Sequence, residues 1–240
     1  MVGRAHPCTR LRRNMPTKGK IVINDVRIIM RNYFSSHHLW GAKLFAEEAE
    51  KIETNFTGQS RFDIRHRSTV NASILSSVAF LESAINEVYK DAVDKHPSYL
   101  KDLDKPKIER LQQKWNEWHT ERKKNISTLK KYLVAMECCE VTPLSKGRSP
   151  YQEANLVIKL RNSIVHFTPD NSCDDIPQQF DELQSKFLEN QLMSGSGNAY
   201  FPDKCLGAGC SKWALTAVTT FANEFFTQIE VTPNYMLARF

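Results

Sequence analysis

Apolar residues recur along most of this chain at steps of three and four, the spacing that places them on one side of an α-helix. The longest such stripe runs through residues 69 to 93, where Val70, Ile74, Val78, Leu81, Ile85 and Val88 follow one another without a break. Residues 36 to 54 repeat the pattern with Ala42, Phe45, Ala49 and Ile52, and residues 106 to 122 with Ile108, Leu111, Trp115 and Trp118 after a start signal of Asp104 and Pro106. Ser127 stands where it would cap a shorter helix carrying Leu129, Tyr132, Leu133 and Met136. Residues 151 to 167 present Val157, Leu160, Ile164 and Phe167, and residues 211 to 229 present Ala214, Val218, Phe221 and Phe225. A short helix around Phe180, Leu183 and Phe187 completes the set.

Turn-forming residues separate these stretches at Thr142 to Pro150, Pro169 to Pro177 and Met193 to Gly209. Only Ile21 to Met30, IVINDVRIIM, reads two ways, as a β-branched strand or as a helix capped at Asp25. So many amphipathic helices against at most one strand predict an all-α helical bundle with long loops, and no internal repeat points to a solenoid.

Composition narrows this picture little. The 240 residues suit one domain, taken as residues 21–240. The formal charge of +6 is concentrated at the start: residues 1–20 carry Arg4, Arg10, Arg12, Arg13, Lys18 and Lys20 and no acid, which leaves 27 basic against 27 acidic side chains in the remainder. A disordered basic tail is expected there, with Met15 as an alternative start. The first twenty residues lack the apolar core of a secretory signal, and no run of about 18 apolar residues is present to span a membrane. A soluble, cytoplasmic protein is the expectation. The six cysteines, Cys8, Cys138, Cys139, Cys173, Cys205 and Cys210, lack paired zinc-ligand spacing and read as reduced thiols, so neither metal nor cofactor is expected. Asn55, Asn71 and Asn125 stand in glycosylation sequons, which mean little without a secretory route.

The candidate chemistry lies in LRNSIVHF, Leu160 to Phe167, where Arg161, Asn162 and His166 interrupt an apolar stripe. On a regular helix Asn162 and His166 lie about 40° apart and share a face, whereas Arg161 lies about 140° from His166 and reaches it only through its length. Such a trio can hold a phosphate on the arginine fork and set an imidazole beside it for proton transfer. The bland alternative is a helix C-terminus, where histidine and arginine satisfy carbonyls and suit the macrodipole. The spacing also recurs: Arg61 and His66 repeat Arg-x4-His, and Arg31-Asn32 is followed by His37 one residue later. Of the three, only Arg161 and His166 fall within one well-formed amphipathic pattern that precedes a final long helix.

With Arg161-Asn162-Ser163-Ile164-Val165-His166 late in a helical chain, residues 35 to 230 resemble the HEPN superfamily, small all-α domains whose ribonuclease members carry Arg-(polar)-x3-His. The stretch Phe80 to Lys90, FLESAINEVYK with Glu82 embedded, is similar to the family's earlier core helix. The segment holding Trp115 and Trp118 and the long loops depart from the pattern. The resemblance implies metal-independent RNA cleavage of the toxin or defence kind, by attack of the 2′-OH on the adjacent phosphate. His166 would move protons, Arg161 would offset charge at the phosphorane-like transition state, and Asn162 would orient either group. One histidine per chain where a base and an acid are both useful implies a homodimer with a shared site, and the toxin or defence kind implies an inhibitory partner protein. The other class left open is a non-catalytic HEPN-like domain that binds RNA, nucleotide or protein.

Supporting candidates are Glu82, Asn86 and Lys90, spaced four apart on one helix face, and Arg65 and Arg67 as contacts to RNA backbone. A solvated polar face and a basic turn capping the next helix are their ordinary explanations. His37 and His38 fit a helix start, and Trp115 and Trp118 the core.

Overall fold

The computed structural model describes residues 20–23, 26–29, 31–120, 126–168 and 178–237. The chain divides into two compact units, Met1–Asn32 and Tyr33–Phe240. In the first unit the ambiguous stretch is extended: β1 (Lys20–Ile23) and β2 (Val26–Ile29) pair antiparallel with Lys20 opposite Ile29 and Ile23 opposite Val26. Its run of isoleucine and valine favours that choice over the helix. The rest of the basic tail lies outside the described residues.

The second unit is all-α, as the periodicity predicts. Its helices are α1 (Phe34–Thr54), α2 (Ile64–Asp94), α3 (Pro97–Leu100), α4 (Lys105–Thr120), α5 (Thr128–Cys138), α6 (Tyr151–Val165), α7 (Ala208–Gln228) and α8 (Asn234–Leu237). Between α6 and α7 lie a 3-10 segment at Gln178–Ser185, a single 3-10 turn at Gln191–Met193 and a π-type turn at Tyr200–Lys204. The first of these is the short helix expected around Phe180 and Leu183. The Pro169 to Pro177 loop lies outside the described residues. No described helix is long and apolar enough to cross a membrane.

The long α2 stripe is buried from Val70 to Val88, and Ala42 and Ala49 of α1, Leu160 of α6 and Phe221 and Phe225 of α7 close on it. Trp115 and Trp118 of α4 pack on Tyr89, with ring centroids 5.9 and 5.0 Å away, which is the core role expected of them. Phe167 departs from expectation. Helix α6 stops at Val165, so the three-four spacing no longer carries the chain inward, and Phe167 is 53% exposed.

Hydrogen bonds fix the helix directions. Ser73 Oγ donates to the Ala42 carbonyl (2.9 Å), Ser35 at the start of α1 bonds Glu87 near the end of α2, and His66 at the start of α2 meets Glu53 at the end of α1, so α1 and α2 are antiparallel. Helix α7 starts beside the end of α1, where the Ala208 N–H donates to Glu53 Oε1 (2.7 Å), and ends where Phe226 stacks on Tyr99, just past the end of α2. It therefore runs parallel to α2. Tyr151, at the start of α6, meets Phe221 late in α7, while Phe167 just past the end of α6 meets Phe201 just before α7. The result is an up-down-up-down four-helix core of α1, α2, α6 and α7. One end of it gathers the end of α6 and the starts of α2 and α7.

The start of α7 is set by close approach. A Cβ on Gly207 would come within 2.6 Å of Asn190 Cα and 2.9 Å of Glu53 Oε1, so only glycine lets the chain pass and present the Ala208 amide to that carboxylate.

Candidate functional site

Helix α6 carries Glu153 in its first turn, where a negative charge suits the macrodipole, and buries Ala154, Leu156, Val157 and Leu160. His166 is the C-cap residue, with φ −104° and ψ 24°, and its backbone N–H donates to the Asn162 carbonyl at 2.9 Å. That bond sets Asn162 and His166 one turn apart on one face, and both side chains are exposed. The His166 imidazole is thus open to solvent and to a ligand. Arg161 is half-buried, and its Nε–H is shielded from solvent with no hydrogen-bond partner. Buried polar atoms are nearly always bonded, so an Nε–H without an acceptor among the described residues leaves this guanidinium with a donor to spend.

Next to the trio lies a cleft of about 180 Å³. Arg67 and Asn71 of α2 form one wall, Ile164 and Phe167 from the end of α6 another, and Phe201 and Pro202 the third. The Arg67 guanidinium donates through NH2 to Asp203 Oδ1 (2.8 Å), and its carbon stands 5.4 Å from the centroid of the Phe62 ring. Asp203 also accepts from Asn198 Nδ2 at 2.6 Å. Arg67 Nε and Asn71 Oδ1, like Arg161 Nε, are shielded and find no partner among the described residues.

The other candidates go elsewhere. Arg65 pairs with Glu48 at 2.5 Å on an open surface. Glu82 is exposed, Asn86 accepts from Lys131 Nζ of α5 (2.8 Å), and Lys90 pairs with Asp94 on its own helix (2.7 Å). No hydrogen bond or ion pair among the described residues joins these three to the α6 trio. Lys131 is half-buried against Trp115, and that burial holds its ammonium below the usual lysine range.

The repeated spacings also separate. His66 is fully buried: its Nε2 lies 2.8 Å from Glu53 Oε1, and its backbone N–H is capped by Asp63 Oδ1 at 3.0 Å. Such a group braces helices and meets no solvent. The Arg31 to His37 stretch crosses the start of α1 at Phe34, and there Phe34 packs on His37 and His38 with ring centroids 5.5 and 6.2 Å away. Burial, followed by the neighbouring His37, lowers the His38 pKa.

No group of three or more histidine, cysteine or acidic side chains among the described residues could hold a metal. The described cysteines, Cys138, Cys139, Cys205 and Cys210, are buried and unbridged, and burial pushes Cys139 up to about 11.

Asn71, Phe201 and Asp203 escaped the sequence reading. Asn71 stands out in the sequence as a sequon residue and as a polar residue one turn after Arg67, beside the buried Val70 and Ile74; Phe201 joins it in the cleft, and Asp203 holds Arg67, from some 130 residues further along. The chain matches no known protein family, no characterised protein and no solved structure.

Proposed function

We propose that the chain is a HEPN-like, metal-independent endoribonuclease whose site is Arg161, Asn162 and His166, completed by a second copy of the chain. The observation that carries this reading is the Arg161 Nε–H, which finds no partner among the described residues, beside an open Asn162–His166 face at the end of a helix anchored in the core. Had the trio served only to finish α6, its polar groups would be spent on carbonyls of the last turn, and no side-chain hydrogen bond of that kind is present among the described residues.

In the reaction His166 of one copy takes the proton from the ribose 2′-OH, whose oxygen attacks the adjacent phosphorus. The 5′-oxygen leaves with a proton from the His166 of the second copy. A 2′,3′-cyclic phosphate and a 5′-hydroxyl result. Arg161 offsets the charge that grows on the phosphoryl oxygens, and Asn162 orients phosphate or imidazole. Val165 is 51% exposed beside His166, an apolar side chain that a second copy would cover.

The test is to incubate the full chain with mixed RNA in EDTA. Cleavage with cyclic-phosphate ends is expected. Intact RNA retained by the protein would replace this reading with that of a non-catalytic binding domain.

A further inference from the structure

We infer that the cleft between the start of α2 and the end of α6 is a pocket for a single nucleobase, the one flanking the bond to be cut. The identity of this ligand rests on the ribonuclease reading; the shape and polarity of the pocket do not.

Size comes first. A cavity of about 150 Å³ accepts one benzene ring, and drug-sized ligands need upwards of about 300 Å³. At about 180 Å³ the cleft has room for one flat ring with its exocyclic atoms.

Polarity comes next. Arg67 and Asn71 lie one turn apart on α2 and line the same wall, and each keeps a shielded polar atom without a partner: a donor at Arg67 Nε and an acceptor at Asn71 Oδ1. A donor and an acceptor from residues one turn apart on the same wall match a ligand edge that offers an acceptor and a donor. Nucleobase edges have that pattern. The remaining walls are apolar, with the rings of Phe167 and Phe201 6.4 Å apart, and extruded bases rest on aromatic side chains of this kind.

Preorganisation and place complete the case. Asp203, itself held by Asn198, fixes the Arg67 guanidinium before any ligand arrives. Phe167 follows His166 directly and Ile164 precedes it by two residues, so the cleft lies within one helical turn of His166 along the chain.

The experiment titrates the full chain with adenosine, guanosine, cytidine and uridine in turn, following heat by calorimetry and the Asn71 side-chain amide by NMR. Nucleosides lack the phosphate, so binding does not need Arg161. At least one nucleoside is expected to bind in the millimolar range or tighter and to shift the Asn71 amide. Asn71→Leu, which fills the same space without the acceptor, and Arg67→Lys, which keeps the charge but loses Nε–H, should each weaken that binding at least about tenfold. No binding by any of the four, or binding that neither substitution weakens, overturns the pocket even if RNA is cleaved. Binding of a nucleoside by a protein that leaves RNA intact upholds the pocket and removes the ribonuclease reading.

Discussion

His66 Nε2 and Glu53 Oε1 meet at 2.8 Å with both side chains more than nine-tenths buried, and the same carboxylate oxygen receives the Ala208 N–H that opens α7. One side-chain pair thereby ties the end of α1 to the starts of α2 and α7. Removing the imidazole leaves a buried carboxylate with half its bonds. His66→Ala should therefore lower stability by about 2–4 kcal/mol, a drop of roughly 5–15 °C in Tm by calorimetry. A drop under 1 °C would mean that the pair is redundant.

Two helix starts make a matched comparison. Asp63 caps α2 with a side-chain bond to the His66 N–H, whereas Ser127 occupies the N-cap position of α5 with no side-chain cap bond. Asp63→Ala should cost about 1 kcal/mol and Ser127→Ala under about 0.5 kcal/mol, measured by urea denaturation. The His66 backbone N–H, first among the causes, holds the Asp63 carboxyl below its ordinary range. Its stabilisation is present above the unfolded-state pKa and fades as pH falls through the folded one. The difference between the parent and Asp63→Ala should shrink on that descent.

Glu87 behaves oppositely. Burial outweighs its bonds from Ser35 and Tyr99 and raises its pKa above the ordinary 4.5. The folded chain then holds this proton more tightly than the unfolded chain, so its contribution falls as pH rises from 4.5 through the folded value. Glu87→Gln removes the titration. The stability of the parent relative to Glu87→Gln should decline across that window and level off above it, as followed by Tm against pH.

For the proposed chemistry, His166→Ala should cut RNA cleavage by about 10²–10⁴-fold while changing stability by less than about 0.5 kcal/mol, because the side chain is exposed. Arg161→Ala should lower cleavage and RNA affinity together. DNA of the same sequence should survive, having no 2′-OH. A gel assay with calorimetry reads all of this, and full activity in His166→Ala would move the site elsewhere.

If two copies share the site, sedimentation should report about twice the chain mass at micromolar concentration. Val165→Glu, which sets a charge on the half-exposed apolar flank of His166, should shift the protein to monomer and reduce cleavage with it. A parent that stays monomeric would confine the chemistry to one chain.

What the sequence made legible was what depends on local period. The α2 stripe, the core tryptophans of α4 and the exposed Asn162–His166 face follow from steps of three and four, because burial in a bundle is decided by helix face. Phe167 was misplaced by the same rule, since Pro169 marks that the helix ends but not that it ends as early as Val165. His66 was indistinguishable from His166 by spacing. Only the return of α1 beside α2 brings Glu53 to it, and no pattern along the chain encodes that meeting. The cleft is beyond reach for the same reason, as α2 and the segment before α7 face each other only once four helices have packed.

The starts of three helices are held by carboxylates borrowed from other helices: Glu87 of α2 receives the Ser35 amide of α1, Glu53 of α1 receives the Ala208 amide of α7, and Asp91 of α2 receives the Tyr99 amide of α3. Helix termini ordinarily fray one by one, and their amides exchange with deuterium ahead of the middle turns. Here the Ser35 and Ala208 amides can open only if a neighbouring helix gives up its hold. Their protection should approach that of the buried middle of α2, so that the bundle loosens as a unit and not from its tips.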